Sequence, residues 1–470
     1  MKSYKVTIFN IETRVGAQKT SYRVRWKVDG RKFGEQFDNY ALADNFRSEL
    51  KTAHNKGEAF SAEDPGLPDS MIRAPATPSE SAGEVEPATT WLELAARYVD
   101  KKWKNLAAKS RETTVYALAA LLPCLVSDVP KRPSIEVLRH SLCRWYLPPV
   151  SREPGAEIPA EAQAAIEWLR RASLPVDDAA SADVLTAALN GMMTKLDGKQ
   201  YAPDVVKRRR RILTNFVKFA ILEGRLSADP FKTLDWTPPK MAVRLDPRRV
   251  PNPRQAAELF IGVSYVGGYH RARGRRLVAF FGCIYYALMR PEEVIVLNIK
   301  DCKLPKTPGW GQLVVHRARP VAGKMWTDSG EVHDDRPLKQ KAEGEVKIVP
   351  IPPVLVKMLQ DHIAEFGVAE DGRIFSNERG GLVTVSTYSR VYREARQLVF
   401  PPYLHTTSLA ADPYDLRHAG ISLGLAATRD AVLVAERSGT SAEVIMSRYA
   451  WVLDDKDAVA NEAIERELGL

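Results

Sequence analysis

PYDLRHAG (residues 413–420) and RSGTSAEVIMSRYA (residues 437–450) place Arg417 ahead of Tyr449 by 32 residues (449 − 417). Two earlier segments, YYALMRPEEVIVL (285–297) and RPLKQKAEGEVKIVPIPP (336–353), add a second arginine and a lysine-rich stretch. Each segment alone fits an ordinary domain, in which arginines pair with carboxylates and a tyrosine packs half-buried on a helix. Independent core and surface residues have no reason to fall at these separations, so the four segments together are a specific signal.

In order and spacing, these segments resemble the catalytic signature of the tyrosine recombinases, the family that includes the phage integrases. The residues of segments 336–353 and 413–420 most closely resemble those of integrases of actinobacterial phages and integrative elements. The resemblance implies a multidomain protein that is mainly α with small β-sheets. It predicts an N-terminal module of a three-stranded sheet plus a helix, an all-α core-binding domain and a mixed α+β catalytic domain.

The resemblance implies that Arg290, Arg417 and Tyr449 act together on one DNA phosphate. A phosphodiester is anionic, so its cleavage requires neutralisation of the non-bridging oxygens as charge builds up. Arginine suits this task because its planar fork donates two parallel hydrogen bonds and stays charged. Tyr449 would form a 3′-phosphotyrosine, which retains the bond energy for resealing without ATP. The guanidinium pair would also replace a divalent ion, so we expect neither a metal nor a cofactor.

The family's proton donor to the departing oxygen is a lysine on a hairpin, and Lys339 matches that position best. Lys341 is a near competitor, and a lysine in a charged hairpin is otherwise a solvated residue. Glu293 follows Arg290 by three residues and is expected to orient that arginine.

Two positions depart from the family pattern. Tyr414 replaces a histidine, and a phenol donates a hydrogen bond but is a poor base near neutral pH. Thr440 replaces a histidine or tryptophan, and with Glu443 it is predicted to form a capping box for the helix that carries Tyr449. His418 is a candidate substitute, although the residue after this arginine is usually structural in the family.

Composition favours a DNA-binding protein of about three domains. The chain has 470 residues, with 68 Lys and Arg against 58 Asp and Glu, and the net charge of +10 favours a polyanionic partner. The four cysteines are widely spaced, which predicts neither a zinc site nor disulfides and favours the cytoplasm. The sequence shows no long apolar run and no signal-peptide pattern, so we expect no membrane partner.

Residues 1–58 alternate polar and apolar side chains and then show a helical period, which predicts the sheet-plus-helix module. This module resembles the arm-type DNA-binding domain of lambda-like and conjugative-transposon integrases, whose sheet would enter the major groove. A solvated cationic hairpin is the alternative. Residues 59–89 are rich in Pro, Ala, Ser, Glu and Gly, which predicts a flexible linker. The predicted DNA contacts of the module are Arg23, Arg25, Lys27, Arg31 and Lys32.

Residues 90–235 are predicted to be helical, begin with a Thr90–Glu93 capping box, and resemble the core-binding domain. One helix carries an unbroken cationic run, and at 100° per residue only two or three of its side chains can reach phosphates. That run is Lys207, Arg208, Arg209, Arg210 and Arg211.

Residues 252–470 are predicted to form the catalytic domain, with helices near 254–263 and 275–288 and strands in GQLVVHRAR and EVKIVPIP. The final segment, DDKDAVANEAIERELGL, is predicted to be a helix that docks either on a neighbouring protomer or on its own domain.

Three functions are compatible with these features. The first is an integrase that joins the attachment site of a phage or mobile element to a chromosomal site in the bacterial nucleoid. The others are a transposon-type recombinase and a recombinase-derived DNA-binding protein that has lost catalysis, which Thr440 favours and the retained signature residues oppose. The resemblance implies double-stranded attachment sites, a homotetramer on DNA and accessory bending or excision factors as partners.

Overall fold

The computed structural model separates the chain into two compact units, Met1–Glu86 and Pro87–Leu470. Most of the ordered secondary structure is helical, with small antiparallel sheets, as the sequence predicts. The structure describes residues 2–15, 20–37, 40–63, 65–68, 71, 88–177, 181–232, 234, 236, 244–268, 270–338, 344–453, 461 and 464–468.

The first unit is a small sheet covered by one helix. Strands β2 and β3 lie in line along one edge of the long strand β4, and β5 pairs with its other edge. The sheet therefore has four strands rather than the predicted three, because the stretch along one edge of β4 is divided into β2 and β3. The elements are β1 (Lys2–Ser3), β2 (Val6–Ile8), β3 (Glu12–Val15), β4 (Thr20–Val28), β5 (Arg31–Phe37), α1 (Tyr40–Asn55) and β6 (Phe60–Ser61).

The period of two in β4 decides which sheet face is buried. Val24, Trp26 and Val28 point inward and form a hydrophobic cluster with Leu50 and Ala53 of α1. Arg23, Arg25 and Lys27 alternate with these residues in sequence and therefore lie on the opposite face of the sheet.

The predicted start of the flexible linker at residue 59 is wrong. Phe60 is fully buried, β6 pairs with β1, and the Trp26 indole N–H donates to the Gly66 carbonyl at 2.6 Å. The stretch has a loop-like composition, but burial of the apolar side chains of Phe60 and Ala62 stabilises it against the sheet-plus-helix module. Within the predicted linker, residues 64, 69, 70 and 72–87 lie outside the described residues.

The second unit begins with a helical part that has its own hydrophobic cluster. The Thr90–Glu93 capping box is present, and Trp91 and Tyr98 of the first helix pack on Phe216 of the last. Its helices are α2 (Trp91–Trp103), α3 (Ala108–Leu121), α4 (Ile135–Ser141), α5 (Ala160–Ala172), α6 (Ala182–Met193) and α7 (Pro203–Leu222).

The remainder of the second unit is a helical assembly with two small sheets. Helix α9 is central, and α13 approaches it so closely at Gly420 that a Cβ there would overlap the Tyr285 carbonyl. Strand β8 lies between β7 and β11, and β9 pairs with β10.

The elements of this part agree with the predicted helices and strands. They are α8 (Pro253–Tyr265), α9 (Ala272–Tyr286), α10 (Pro291–Val294), β7 (Cys302–Lys303), β8 (Gly311–Val315), β9 (Arg317–Ala318), β10 (Arg336–Pro337), β11 (Lys347–Ile351), α11 (Pro353–Phe366), α12 (Val385–Val399), α13 (Asp415–Thr428), α14 (Ala431–Ser438) and α15 (Ala442–Tyr449). Of the predicted final helix, the described residues 461 and 464–468 are helical.

A segment between β9 and β10 connects the two parts of the second unit. Trp326 is buried in the hydrophobic cluster of the helical part and lies 6.0 Å, between ring centroids, from Trp103. The buried Arg111 of α3 donates to both carboxylate oxygens of Asp328 at 2.8 and 2.9 Å and to the Trp326 carbonyl at 2.8 Å. This segment, Ala322–Asp328, is called the bridging segment below.

Across the part of the chain that the structure describes, no helix is both long enough and apolar enough to cross a membrane.

Candidate active site

Five of the six predicted catalytic residues line one cavity of about 250 Å³ in the second unit. The signature segments contribute residues that are far apart in sequence, and helices α10, α13 and α15 bring them together. The lining residues are Arg290, Tyr414, Arg417, His418, Ile421, Thr440, Val444, Arg448 and Tyr449. The sixth, Lys339, and its competitor Lys341 lie outside the described residues.

Arg290 is held by the turn between α9 and α10. It precedes Pro291 and caps α10, and its backbone N–H donates to Glu293 at 3.1 Å. Its guanidinium donates to the Glu293 carboxylate at 2.8 Å and to the Gly439 carbonyl at 2.9 Å. Burial lowers the pKa of Arg290, but the adjacent Glu293 carboxylate outweighs this and raises it overall. Arg290 is therefore a fixed, permanent cation at the cavity wall.

Arg417 lies in α13 and is almost completely buried. Its guanidinium donates to the Leu288 carbonyl and, at 2.7 Å, to the Ser438 carbonyl. Leu288 has a φ of 52°, a left-handed conformation that costs a non-glycine residue roughly 1 kcal/mol, and this turn directs its carbonyl toward Arg417. Burial lowers the pKa of Arg417, but a guanidinium stays protonated in proteins.

Ser438 accepts a hydrogen bond from Arg417, and the next residue, Gly439, contacts Arg290. Gly439 ends α14 with a φ of 65°, which glycine adopts without strain, and its carbonyl accepts from Arg290. A Cβ at this position would lie 3.2 Å from the Lys347 side chain and 3.5 Å from the Arg290 guanidinium. A side chain here would have to adopt the left-handed conformation and shift the buried Lys347 side chain by a few tenths of an ångström.

The sequence reasoning missed Lys347. Its ammonium donates to Glu293 at 2.6 Å, and both side chains are only 2% exposed. Burial lowers the pKa of Lys347 to about 8, partly opposed by Glu293. Burial also raises the pKa of Glu293, but Lys347 and Arg290 outweigh it, so that pKa is lowered. The signal was present: Lys347 shares the inward side of β11 with Val349 and Ile351, and a lysine there requires a buried partner.

Tyr449 lies at the end of α15 and is 3% exposed. Its hydroxyl is 2.5 Å from His418 Nδ1, and the two ring centroids are 5.9 Å apart. Burial raises the pKa of Tyr449, and burial likewise lowers the pKa of His418 to about 4. At neutral pH the pair is therefore an un-ionised phenol beside a neutral imidazole.

Tyr414 packs against this pair. Its ring centroid lies 5.1 Å from that of His418 in an edge-on arrangement and 5.8 Å from the carbon of the Arg417 guanidinium. Tyr414 therefore forms part of the cavity wall next to Arg417.

The prediction that Thr440 caps the helix of Tyr449 is wrong by one residue. Ser441 is the cap of α15, and its hydroxyl accepts from the backbone N–H of Val444 at 3.3 Å. The backbone N–H of Thr440 instead donates to the Ala435 carbonyl at 3.1 Å, because Gly439 ends α14 in the left-handed conformation. The side chain of Thr440 lines the cavity.

Four of the five predicted DNA contacts of the first unit lie on one face of its sheet. Arg31 lies on the other face, because register pairs it with the inward-pointing Val28. Register pairs Lys27 with Lys32, and Arg23 and Arg25 flank Gly34 on the same face, opposite the helix. Arg25 also forms an ion pair with Glu12. Arg31 is exposed and donates to the Ala62 carbonyl at 3.2 Å.

The five cations of α7 point in different directions around the helix, so some face solvent and one faces the core. Lys207, Arg208, Arg210 and Arg211 are exposed. Arg209 is buried, donates to the Met192 carbonyl and lies 4.0 Å above the Tyr201 ring centroid. Its prediction as a DNA contact is therefore wrong, because its position on the helix faces the core.

No group of His, Cys, Asp and Glu side chains suited to a metal ion occurs among the described residues.

The chain has the fold of the tyrosine recombinases. It is similar to a solved structure of the Tn1549 transposon integrase in complex with transposon right end DNA, with 15% identity and a TM-score of 0.52, covering 80% of this chain and 99% of that chain. A weaker likeness is to the XerH site-specific recombinase bound to difH substrate. It has 13% identity and a TM-score of 0.43, and it covers 76% of this chain and 90% of that chain. Another is to the lambda integrase bound to DNA, with 14% identity and a TM-score of 0.43. It covers 77% of this chain and 95% of that chain.

The predicted resemblance to tyrosine recombinases is thus confirmed at the level of the fold. No protein-family model matches the sequence, and no curated protein matches it either.

Proposed function

We propose that this protein is a site-specific DNA recombinase that cleaves and religates DNA through a 3′-phosphotyrosine at Tyr449. One observation carries the proposal: Arg290, Arg417 and Tyr449 come from three separate segments and line the same cavity. A structural role for each residue alone does not account for two guanidiniums converging beside a phenol.

The two arginines would bind the phosphate that Tyr449 attacks. Each guanidinium has five N–H donors, more than the two side-chain bonds shown for either residue. Their positions are fixed by backbone carbonyls and Glu293, so little reorganisation is needed as charge develops on the phosphate oxygens. Such preorganised donors typically contribute a factor of 10²–10³ each to the rate.

The remaining proton and hydrogen-bond roles follow from the sequence signature. Lys339 would protonate the departing 5′-oxygen, and the hydroxyls of Tyr414 and Thr440 would donate to the phosphate. Rejoining reverses these steps, since the phosphotyrosine retains the bond energy. The reaction as proposed needs neither a metal nor ATP.

DNA would be held by two basic surfaces. The first is the sheet face of the first unit with Lys27 and Lys32, and the second is the exposed side of α7 with Lys207 and Arg211. We propose double-stranded attachment sites of a phage or mobile element as substrates in the bacterial nucleoid. The assembly would be a homotetramer on DNA, assisted by accessory bending or excision factors.

Trapping of the covalent intermediate tests this proposal. Duplexes that the protein selects from a random-sequence pool would be rebuilt with nicks, so that cleavage releases a short fragment and rejoining fails. We expect a denaturant-resistant protein–DNA adduct with the native chain and none with Tyr449→Phe. Selected DNA that is bound tightly but never forms an adduct would contradict the proposal and favour a binding protein without catalysis.

A further inference from the structure

We propose that His418 accepts the phenol proton of Tyr449 as the tyrosine attacks the phosphate. This inference rests on the recombinase function proposed above and assigns a further catalytic residue to the same reaction. It gives a proton acceptor to a site in which the two positions expected to hold histidine are Tyr414 and Thr440.

The contact between the two side chains is direct. His418 Nδ1 lies 2.5 Å from the Tyr449 hydroxyl oxygen, within the distance at which a general base takes a proton. Both residues line the cavity that also contains Arg290 and Arg417. The bond is therefore part of the wall that a bound phosphate would face, rather than a contact in a separate core.

The other lining residues are poor proton acceptors. Tyr414 and Thr440 have hydroxyl groups, and an arginine or an aliphatic side chain has no basic atom free near neutral pH. Among the residues that line the cavity, His418 is the single imidazole. A buried tyrosine hydroxyl needs some partner, but an imidazole can also take its proton.

The surroundings of His418 keep the imidazole neutral before DNA binds. Burial, and to a lesser extent the nearby cations Arg448, Arg249 and Arg417, together lower its pKa to about 4. The groups that face it are these three arginines, Tyr414 and Tyr449. An anionic phosphate placed between Arg417 and Arg448 would offset their charge and make a protonated His418 more favourable.

The proposed step moves one proton to His418 and takes one from Lys339. The Tyr449 O–H bond breaks and its proton moves to His418 Nδ1, while the oxygen electron pair forms the new bond to phosphorus. The bond from phosphorus to the 5′-oxygen breaks, and that oxygen takes a proton from the Lys339 ammonium proposed above. On rejoining, the 5′-hydroxyl returns its proton to Lys339, and His418 returns its proton to the departing phenolate.

The first test compares His418→Asn with the native chain in single-turnover cleavage of the nicked substrate. Asparagine places a hydrogen-bonding atom near the Nδ1 position but cannot take up a proton at working pH. We expect unchanged DNA affinity and adduct formation slowed by roughly 10²–10⁴-fold. The rise of the native rate with pH on the acid side should also be absent in the variant.

The second test uses His418→Ala with added imidazoles of increasing basicity. We expect adduct formation to recover, and to recover faster with the stronger bases, because proton transfer follows base strength. His362→Ala is the matched control: this buried histidine bonds the Ile374 carbonyl at 3.0 Å away from the cavity. Its variant should cleave at the native rate per folded molecule and ignore imidazole.

The outcomes separate the two proposals. If the native chain forms no adduct on DNA that it binds, the recombinase function is contradicted and this inference with it. If the native chain forms the adduct and His418→Asn does so within threefold of the native rate, the inference alone is overturned. A slow His418→Ala variant that no imidazole restores would likewise overturn it and leave His418 as a packing residue.

Discussion

At the residue scale, the site depends on charges fixed by buried partners. Arg417 donates hydrogen bonds to two backbone carbonyls, and Arg290 donates to Glu293 and to the Gly439 carbonyl. Lys347 forms a buried ion pair with Glu293. The sequence predicted the two arginines and Glu293 because their spacing follows a family signature. The alternation of β11 places Lys347 inward with Val349 and Ile351, but its partner Glu293 lies 54 residues earlier, so no local pattern pairs the two side chains.

Replacing Arg290 tests the phosphate clamp. In Arg290→Lys, a single ammonium cannot reproduce the two parallel donors of a guanidinium, so we expect adduct formation to fall by about 10²–10³-fold. Single-turnover cleavage at saturating DNA measures this effect. Arg254→Lys is the control, since Arg254 is 89% exposed and pairs with Glu258 of its own helix. Equal rates for both variants would exclude a clamp at Arg290.

The Lys347–Glu293 pair predicts a pH dependence of stability. The pKa of Lys347 is about 8 in the folded protein, below its ordinary value near 10.5. The unfolded chain therefore binds more protons between pH 8 and 10.5, and this residue's contribution to stability rises with pH across that window. Between pH 7.5 and 9.5 we expect the native chain to gain roughly 1–2 kcal/mol relative to Lys347→Met.

Denaturant unfolding of both proteins at the two pH values measures that difference. Parallel pH profiles for the native chain and Lys347→Met would show that the lysine does not titrate in this window.

At the element scale, helix α15 positions Tyr449, and its cap is a separable feature. Ser441→Ala removes the acceptor for the Val444 N–H and should lower the free energy of unfolding by about 1 kcal/mol. Thr440→Ala, one residue earlier, should change it by less than about 0.5 kcal/mol. Chemical denaturation of the two variants distinguishes them, and a larger loss for Thr440→Ala would contradict the observed cap.

The β4–β5 face of the first unit is the element proposed to contact DNA. Each phosphate contact contributes about −0.9 to the slope of log affinity against log salt. Lys27→Gln with Lys32→Gln should therefore reduce the magnitude of that slope by about 2. The control is Lys51→Gln, because Lys51 is exposed on α1, away from the sheet face. Binding titrations over a range of salt concentrations measure the slope, and an unchanged slope would mark a merely solvated hairpin.

At the scale of the whole molecule, the bridging segment joins the helical part of the second unit to the remainder of that unit. Trp326 is 4% exposed within the cluster of the helical part, so Trp326→Ala should cost about 3–5 kcal/mol in unfolding free energy. Trp310→Ala is the matched control, since Trp310 is 62% exposed and should change stability by under about 0.5 kcal/mol. A small effect at Trp326 would contradict its burial.

The sequence predicted which segments form helices and strands, but it did not predict how the linker and the bridging segment pack. Hydrophobic periods located the helices and strands, and the capping box located the start of α2 at Thr90. The linker start was misplaced because Phe60 is buried by tertiary contacts that its polar neighbours conceal. The bridging segment was not foreseen, since its partners Trp103 and Arg111 are distant in sequence.

The identity of the residue joined to DNA tests the central claim most directly. The trapped adduct would be digested with nuclease and protease, and the peptide that carries residual nucleotide would be identified by mass spectrometry. We expect the nucleotide on the peptide that contains Tyr449, attached through its phenol oxygen to a 3′-phosphate. Attachment to any other residue, or at a 5′-phosphate, would contradict the proposed chemistry.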